Sequence, residues 1–190
     1  MAKLIKKIMY REKKLAEIAS KSGGFTEEFA KEKFNINGKR LQALCNSKFF
    51  KLHEFYRENE NGKLERKRAF ALGIEGKKYV KENNICETTQ GLNGYRHTVS
   101  MQEVVYDLVY KQDYNITDIL NEKEQEKYFQ DEINKAKAKN IDFRINDIAI
   151  VTDIEIRVIE VETNYSSKLI AQHQAYSEQV LNVPYESVKG

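Results

Sequence analysis

Hydrophobic positions along the chain fall into blocks of helical and of strand period. Residues 3–20 carry Leu4, Ile5, Ile8, Leu15, Ile18 and Ala19 at helical spacing, and the pattern stops before Ser22-Gly23-Gly24. Thr26 then stands where an N-cap belongs, followed by Glu27 and Glu28, so a short helix is predicted over 27–33 with Phe29 and Ala30 inward. Asn35-Ile36-Asn37 reads as a turn whose Asn37 caps a further helix over 38–47, with Leu41, Leu44 and Cys45 facing the core. Two helices joined by a tight turn make a helix-turn-helix pattern. Residues 49–56 have strand composition, Asn61-Gly62 is a strong hairpin signal, and Leu64–Leu72 alternates as the return strand. A hairpin directly after a helix-turn-helix predicts a wing.

The periodicity lapses over 84–96, which contains Gly91 and Gly94 and reads as a linker. A helix is predicted from His97 to about 112, with Met101, Val104, Val105, Leu108 and Val109 on one face. Residues 122–139 read as a charged helical segment with Tyr128, Phe129 and Ile133 inward. A strand over Ile148–Val151, a turn at Thr152-Asp153 and a second strand over Ile154–Glu162 follow. Ser166 and Ser167 are placed to cap a last helix running to Leu181. The expected class is α+β, with a winged helix-turn-helix domain over 1–83, the linker 84–96 and a small α/β domain over 97–190.

Charge sharpens this division. Residues 1–83 hold 21 Lys and Arg against 11 Asp and Glu, a net of +10, while 84–190 hold 11 against 18, a net of −7. The overall +3 conceals both. A basic segment of domain size predicts attraction to a polyanion, and double-stranded DNA is the expected partner. In a winged helix the helix over 38–47 enters the major groove. Lys39, Arg40, Gln42 and Asn46 are its candidate groove contacts, while Lys48, Arg66, Lys67 and Arg68 are candidates for neutralising phosphates. No apolar run reaches the roughly 18–20 residues of a membrane span, and the N-terminus lacks a signal-peptide core. Cys45 and Cys86 lie in no metal or redox spacing, so a cytoplasmic protein without a membrane partner is expected.

The candidate chemistry lies over 142–181. Asp147 opens one predicted strand, Glu160 and Glu162 close the next, and the helix that follows carries Lys168. This is the layout of the PD-(D/E)xK nucleases, in which carboxylates meeting at strand ends hold Mg²⁺ against a scissile phosphate. Asp147 and Glu160 are the candidate metal ligands, and Asp147, Glu160, Glu162 and Lys168 the candidate catalytic set. The chain also resembles the replication-relaxation proteins of plasmids and other mobile elements. The residues that carry the resemblance are Arg96-His97-Thr98-Val99, Arg144-Ile145-Asn146-Asp147, Ile159-Glu160-Val161-Glu162, and Lys168-Leu169 with Tyr176. That resemblance implies a DNA-binding protein associated with replication or relaxation of mobile-element DNA. Asn146 departs from it by standing where a proline is expected, and Glu162 by standing where the nuclease lysine belongs. An ammonium would steady the charge developing on a phosphorane; a carboxylate repels it.

The leading expectation is therefore a DNA-binding protein whose nuclease-like half is non-catalytic and serves self-association, as in a homodimer, or contact with a replication or mobilisation protein. A Mg²⁺-dependent endonuclease is the first alternative. A protein-binding inhibitor or transcriptional regulator is the second. His97 is expected to pack or to sit at a helix start rather than to bind a ligand, and His53 and His173 have no partner at diagnostic spacing.

Overall fold

The computed structural model describes residues 7–58, 61–163 and 165–190. The architecture is α+β, with two small sheets. Helix α1 (Tyr10–Ser22) buries Leu15, Ile18 and Ala19, while the expected Leu4 and Ile5 lie outside the described residues. It ends at Gly23 in the left-handed region, φ +79°. A Cβ there would lie 2.5 Å from the Gly91 carbonyl oxygen, so glycine is required for close approach as well as for the turn. A two-residue strand β1 (Phe25–Thr26) leads into α2 (Glu27–Phe34), whose N-cap Thr26 accepts from the Phe29 amide at 3.2 Å. The caps anticipated at Thr26 and Asn37 are thus both made, each worth about 1 kcal/mol. Helix α3 (Gly38–Asn46) buries Leu41 and Leu44, and Cys45 is half-buried beside them.

Strands β2 (Phe50–Glu58) and β3 (Leu64–Leu72) pair antiparallel, with Phe50 opposite Leu72 and Glu58 opposite Leu64. Gly62 takes φ +71° in their connection. The first sheet has the order β1-β3-β2. Helix α4 (Ile74–Glu82) closes over it with Val80 buried.

The rest of the chain forms α5 (Tyr95–Tyr110), β4 (Ile119–Asn121), α6 (Glu122–Tyr128), α7 (Gln130–Ala138), β5 (Ile148–Val151), β6 (Ile156–Glu162), α8 (Ser167–Ala175) and β7 (Tyr185–Lys189). The second sheet runs β4-β5-β6-β7, with β4-β5 and β5-β6 antiparallel and β6-β7 parallel. Several boundaries differ from the pattern. The segment 122–139 is two helices, broken at Phe129, and Tyr128 is 59% exposed instead of inward. The second strand starts at Ile156, because Thr152 Oγ1 accepts from the amides of Ile154 and Glu155 and claims them for a tight turn. Helix α8 stops at Ala175 and continues as one π-helical turn over Tyr176–Val180.

The stretch expected to be a linker is irregular up to Gly94, and α5 begins at Tyr95. It is nonetheless packed, with Ile85 and Cys86 buried and the Thr88 carbonyl accepting from Asn121 Nδ2 at 2.9 Å. One hydrophobic cluster contains Leu15, Phe25 and Phe70 together with Met101, Val105, Ile148, Ile159 and Val161. Lys21, 1% exposed, meets Glu124 at 2.8 Å across the same seam. Residue 83 therefore marks a boundary of charge but not of the core.

Candidate functional site

Two surfaces collect the residues with candidate chemistry. On the basic half, α3 turns Leu41 and Leu44 inward and leaves Lys39, Gln42 and Asn46 exposed, with Gln42 Nε2 donating to Asn46 Oδ1 at 3.2 Å. Exposed Lys48 follows in the left-handed region, φ +60°, held by the Glu75 amide donating to its carbonyl at 3.0 Å. Arg40 is committed elsewhere. Its guanidinium reaches Glu12 at 2.5 and 2.8 Å and the Lys7 carbonyl at 3.1 Å, and Glu12 is fully buried. Withdrawing Arg40 would leave a buried carboxylate unpaired, at a cost of about 3–5 kcal/mol, so it supports α3 from behind.

On the hairpin, Arg66 lies 3.4 Å from Glu54, Lys67 3.4 Å from Glu65 and Arg68 3.4 Å from Glu27. These side chains are at least a third exposed, apart from Glu27 at 31%. Pairs so wet contribute about 0–1 kcal/mol, little enough for a phosphate to displace the carboxylate.

On the acidic half, Asp147 enters β5 and Glu160 lies within β6, and the antiparallel register brings them together. Glu160 Oε2 accepts from the Asp147 amide at 3.1 Å, and Asp147 Oδ2 accepts from the Val161 amide at 3.0 Å. His97, in the first turn of α5, places Nε2 3.2 Å from Asp147 Oδ1. His173, from α8, places Nδ1 3.1 Å from Glu160 Oε2. Both histidines are buried, and the Tyr165 ring stacks on His173 at 5.6 Å. Asp147, Glu160, Tyr165 and His173 form one wall of a cavity of about 890 Å³, which is also lined by Glu122, Asn134, Lys137 and Arg144.

Burial, and then the neighbouring Asp147, push the Glu160 carboxyl up to about 9. Burial lowers His173. Glu122 is raised, first by burial. Glu160 therefore carries a proton at neutral pH, next to an imidazole that tends not to. Its Oε1 is buried without an aligned hydrogen-bond partner, although the Tyr165 hydroxyl is close enough to oppose the shift.

These donors do not suit Mg²⁺, which demands near-octahedral oxygen ligands and ionised carboxylates. Three of the four carboxylate oxygens already have close neighbours, the Val161 amide and His97 on Asp147 and the Asp147 amide on Glu160, while His173 Nδ1 lies near Glu160 without an aligned hydrogen bond. Among the described residues no three His, Cys, Asp or Glu side chains form a group that could hold a metal ion. The other two members of the expected catalytic set lie apart. Glu162 accepts from the Tyr185 hydroxyl at 3.0 Å. Lys168 is exposed beside Asp142 and Gln172, while its neighbour Leu169, about 100° further round the helix, faces the cavity.

The structure brings Asp147 and Glu160 together and sets beside them two histidines that the sequence pattern does not mark. Each comes from a different helix and meets its carboxylate only in the folded chain, so no local spacing signals it. No protein-family model, curated protein or solved structure matches this chain.

Proposed function

We propose that this is a duplex-DNA-binding protein, with α2 and α3 as a helix-turn-helix and the β2–β3 hairpin as its wing. The observation that carries this reading is the exposed polar face of α3, Lys39, Gln42 and Asn46, on the same basic half as Lys48 and the hairpin cations. Lys39, Gln42 and Asn46 read base edges, and Lys48, Arg66, Lys67 and Arg68 neutralise phosphates. The assignment to plasmid or other mobile-element replication and relaxation rests on the sequence resemblance alone. Gel-shift titration of the full chain on duplex DNA tests it: binding should weaken steeply with salt as counterions are released, and no binding at low salt would reject the reading.

The second half is read as a nuclease-like fold without catalysis, available for self-association or for a replication or mobilisation partner. Its helix–strand start, its two carboxylates at adjacent strands and its following helix and parallel strand support the fold reading. The engaged carboxylates and the outward Lys168 support the absence of catalysis. The convergence of Asp147 and Glu160 on a cavity favours one alternative, a Mg²⁺-dependent endonuclease. Supercoiled DNA incubated with wild type, Glu160→Ala and Lys168→Ala in Mg²⁺ or Mn²⁺ separates the two. The expected result is no nicking by any of them. Nicking by wild type that both substitutions abolish would establish the endonuclease.

A further inference from the structure

The β2–β3 hairpin is long relative to the core beneath it. Phe50, Phe70 and Leu72 are buried, but toward the tip Tyr56 is 66% and Leu64 is 64% exposed. A two-stranded ribbon projecting this way is marginal by itself and needs an outside support to hold an angle. Tyr95, the first residue of α5, supplies one from the acidic half. Its ring lies 5.8 Å from that of Phe55, and the Arg57 guanidinium lies over it at 5.9 Å. Its hydroxyl reaches Glu28 of α2 at 3.5 Å. Phe55 and Arg57 alternate with Glu54 and Tyr56, so Tyr95 braces the hairpin face that carries Lys67, directly opposite Phe55.

The same helix fixes the other DNA-facing element. Gln102, about two turns further along the same face of α5 and 2% exposed, accepts from the Thr26 amide at 2.8 Å and donates to Thr26 Oγ1 at 3.3 Å. Thr26 is the N-cap of α2. Helix α5 thus holds both the hairpin and the start of the helix-turn-helix, and so sets the angle between them. A protein that contacts a major groove and a neighbouring stretch of backbone at once depends on that angle, because a wing left free must first be ordered before it reaches its phosphates, at a cost in affinity.

We propose that Tyr95 is a positioning residue for DNA binding: it holds the wing at its working angle, so that the acidic half contributes to affinity without touching DNA. This rests on the reading of α3 and the hairpin as the DNA surface. An aromatic pair and a partly exposed cation–π contact together are worth about tenfold in an equilibrium.

The test uses the full chain as wild type, Tyr95→Phe, Tyr95→Leu and Tyr95→Ala. Two quantities are read: anisotropy of a labelled duplex of mixed sequence against salt, and hydrogen exchange of the hairpin amides. Tyr95→Ala should weaken binding about tenfold for every duplex with the salt slope of wild type, because no phosphate contact is removed. Its hairpin amides should exchange faster while those of α1 and β6 hold. Tyr95→Phe should match wild type, since the ring is the brace, and Tyr95→Leu should fall between, which keeps the test decisive if Tyr95→Ala folds poorly. Wild-type affinity in Tyr95→Ala overturns the positioning role while leaving the DNA reading intact. Unchanged hairpin exchange overturns the brace itself. A wild type that binds no duplex overturns the DNA reading and this role with it.

Discussion

The two regions set carboxyl groups beside basic side chains to opposite ends. On the hairpin, Arg66, Lys67 and Arg68 each stand 3.4 Å from a carboxylate in contact with water. In the second half, Asp147 and Glu160 stand 3.2 and 3.1 Å from His97 and His173 with both partners buried. Water screens the first set, so each cation can change partners at little cost. Burial makes the second set costly to rearrange, because freeing one group leaves another desolvated and alone. Exposure, more than the sign of the charge, separates a surface fit for a mobile polyanion from a cluster that is fixed in place.

The sharpest way to break this comparison is at the seam. Lys21→Met leaves Glu124 without its buried partner and should cost about 3–5 kcal/mol, lowering Tm by roughly 10 °C. Calorimetry should still show one transition, because both halves share one hydrophobic cluster. Two resolved transitions would show that the halves are independent after all. A smaller effect is expected at the wing. Replacing Arg66, Lys67 and Arg68 together by Ala should reduce the salt slope of DNA binding by about 2–3 and weaken all sequences alike, whereas Gln42→Ala or Lys39→Ala should alter sequence preference. Wild-type binding by the triple variant would remove the hairpin from the interface.

A third effect concerns protons. Glu160 is raised to about 9 in the folded chain, above its value when unfolded. The folded state therefore binds the proton more tightly, its contribution is present at low pH, and stability should decline as pH rises from about 5 to about 9. Glu160→Gln should flatten that decline. A wild-type chain that gains stability from this group across the same interval would contradict the burial argument.

Much of the first half was legible because its signals are local. Thr26 and Asn37 cap helices by reaching three residues along the chain, and Gly62 takes the positive φ that a tight hairpin calls for. In the second half the deciding contacts are distant. β4 and β7 are too short and too mixed in polarity to show a period, yet they form the two edges of the sheet. Ile154 looks like strand, but the turn around Thr152 leaves it 95% exposed. His97 and His173 carry no spacing to recognise, and nothing local in α5 signals that its buried residues pack against both halves.

That shared cluster has a consequence during synthesis. Leu15, Phe25 and Phe70 emerge from the ribosome well before Met101 and Val105, and those before Ile159 and Val161. At about 5–20 residues per second, the nascent first half stays uncovered for several seconds while basic and apolar at once. In that interval its apolar core positions stay without their later partners, and a translation pause placed between residues 83 and 161 should lower the yield of folded protein more than one placed later.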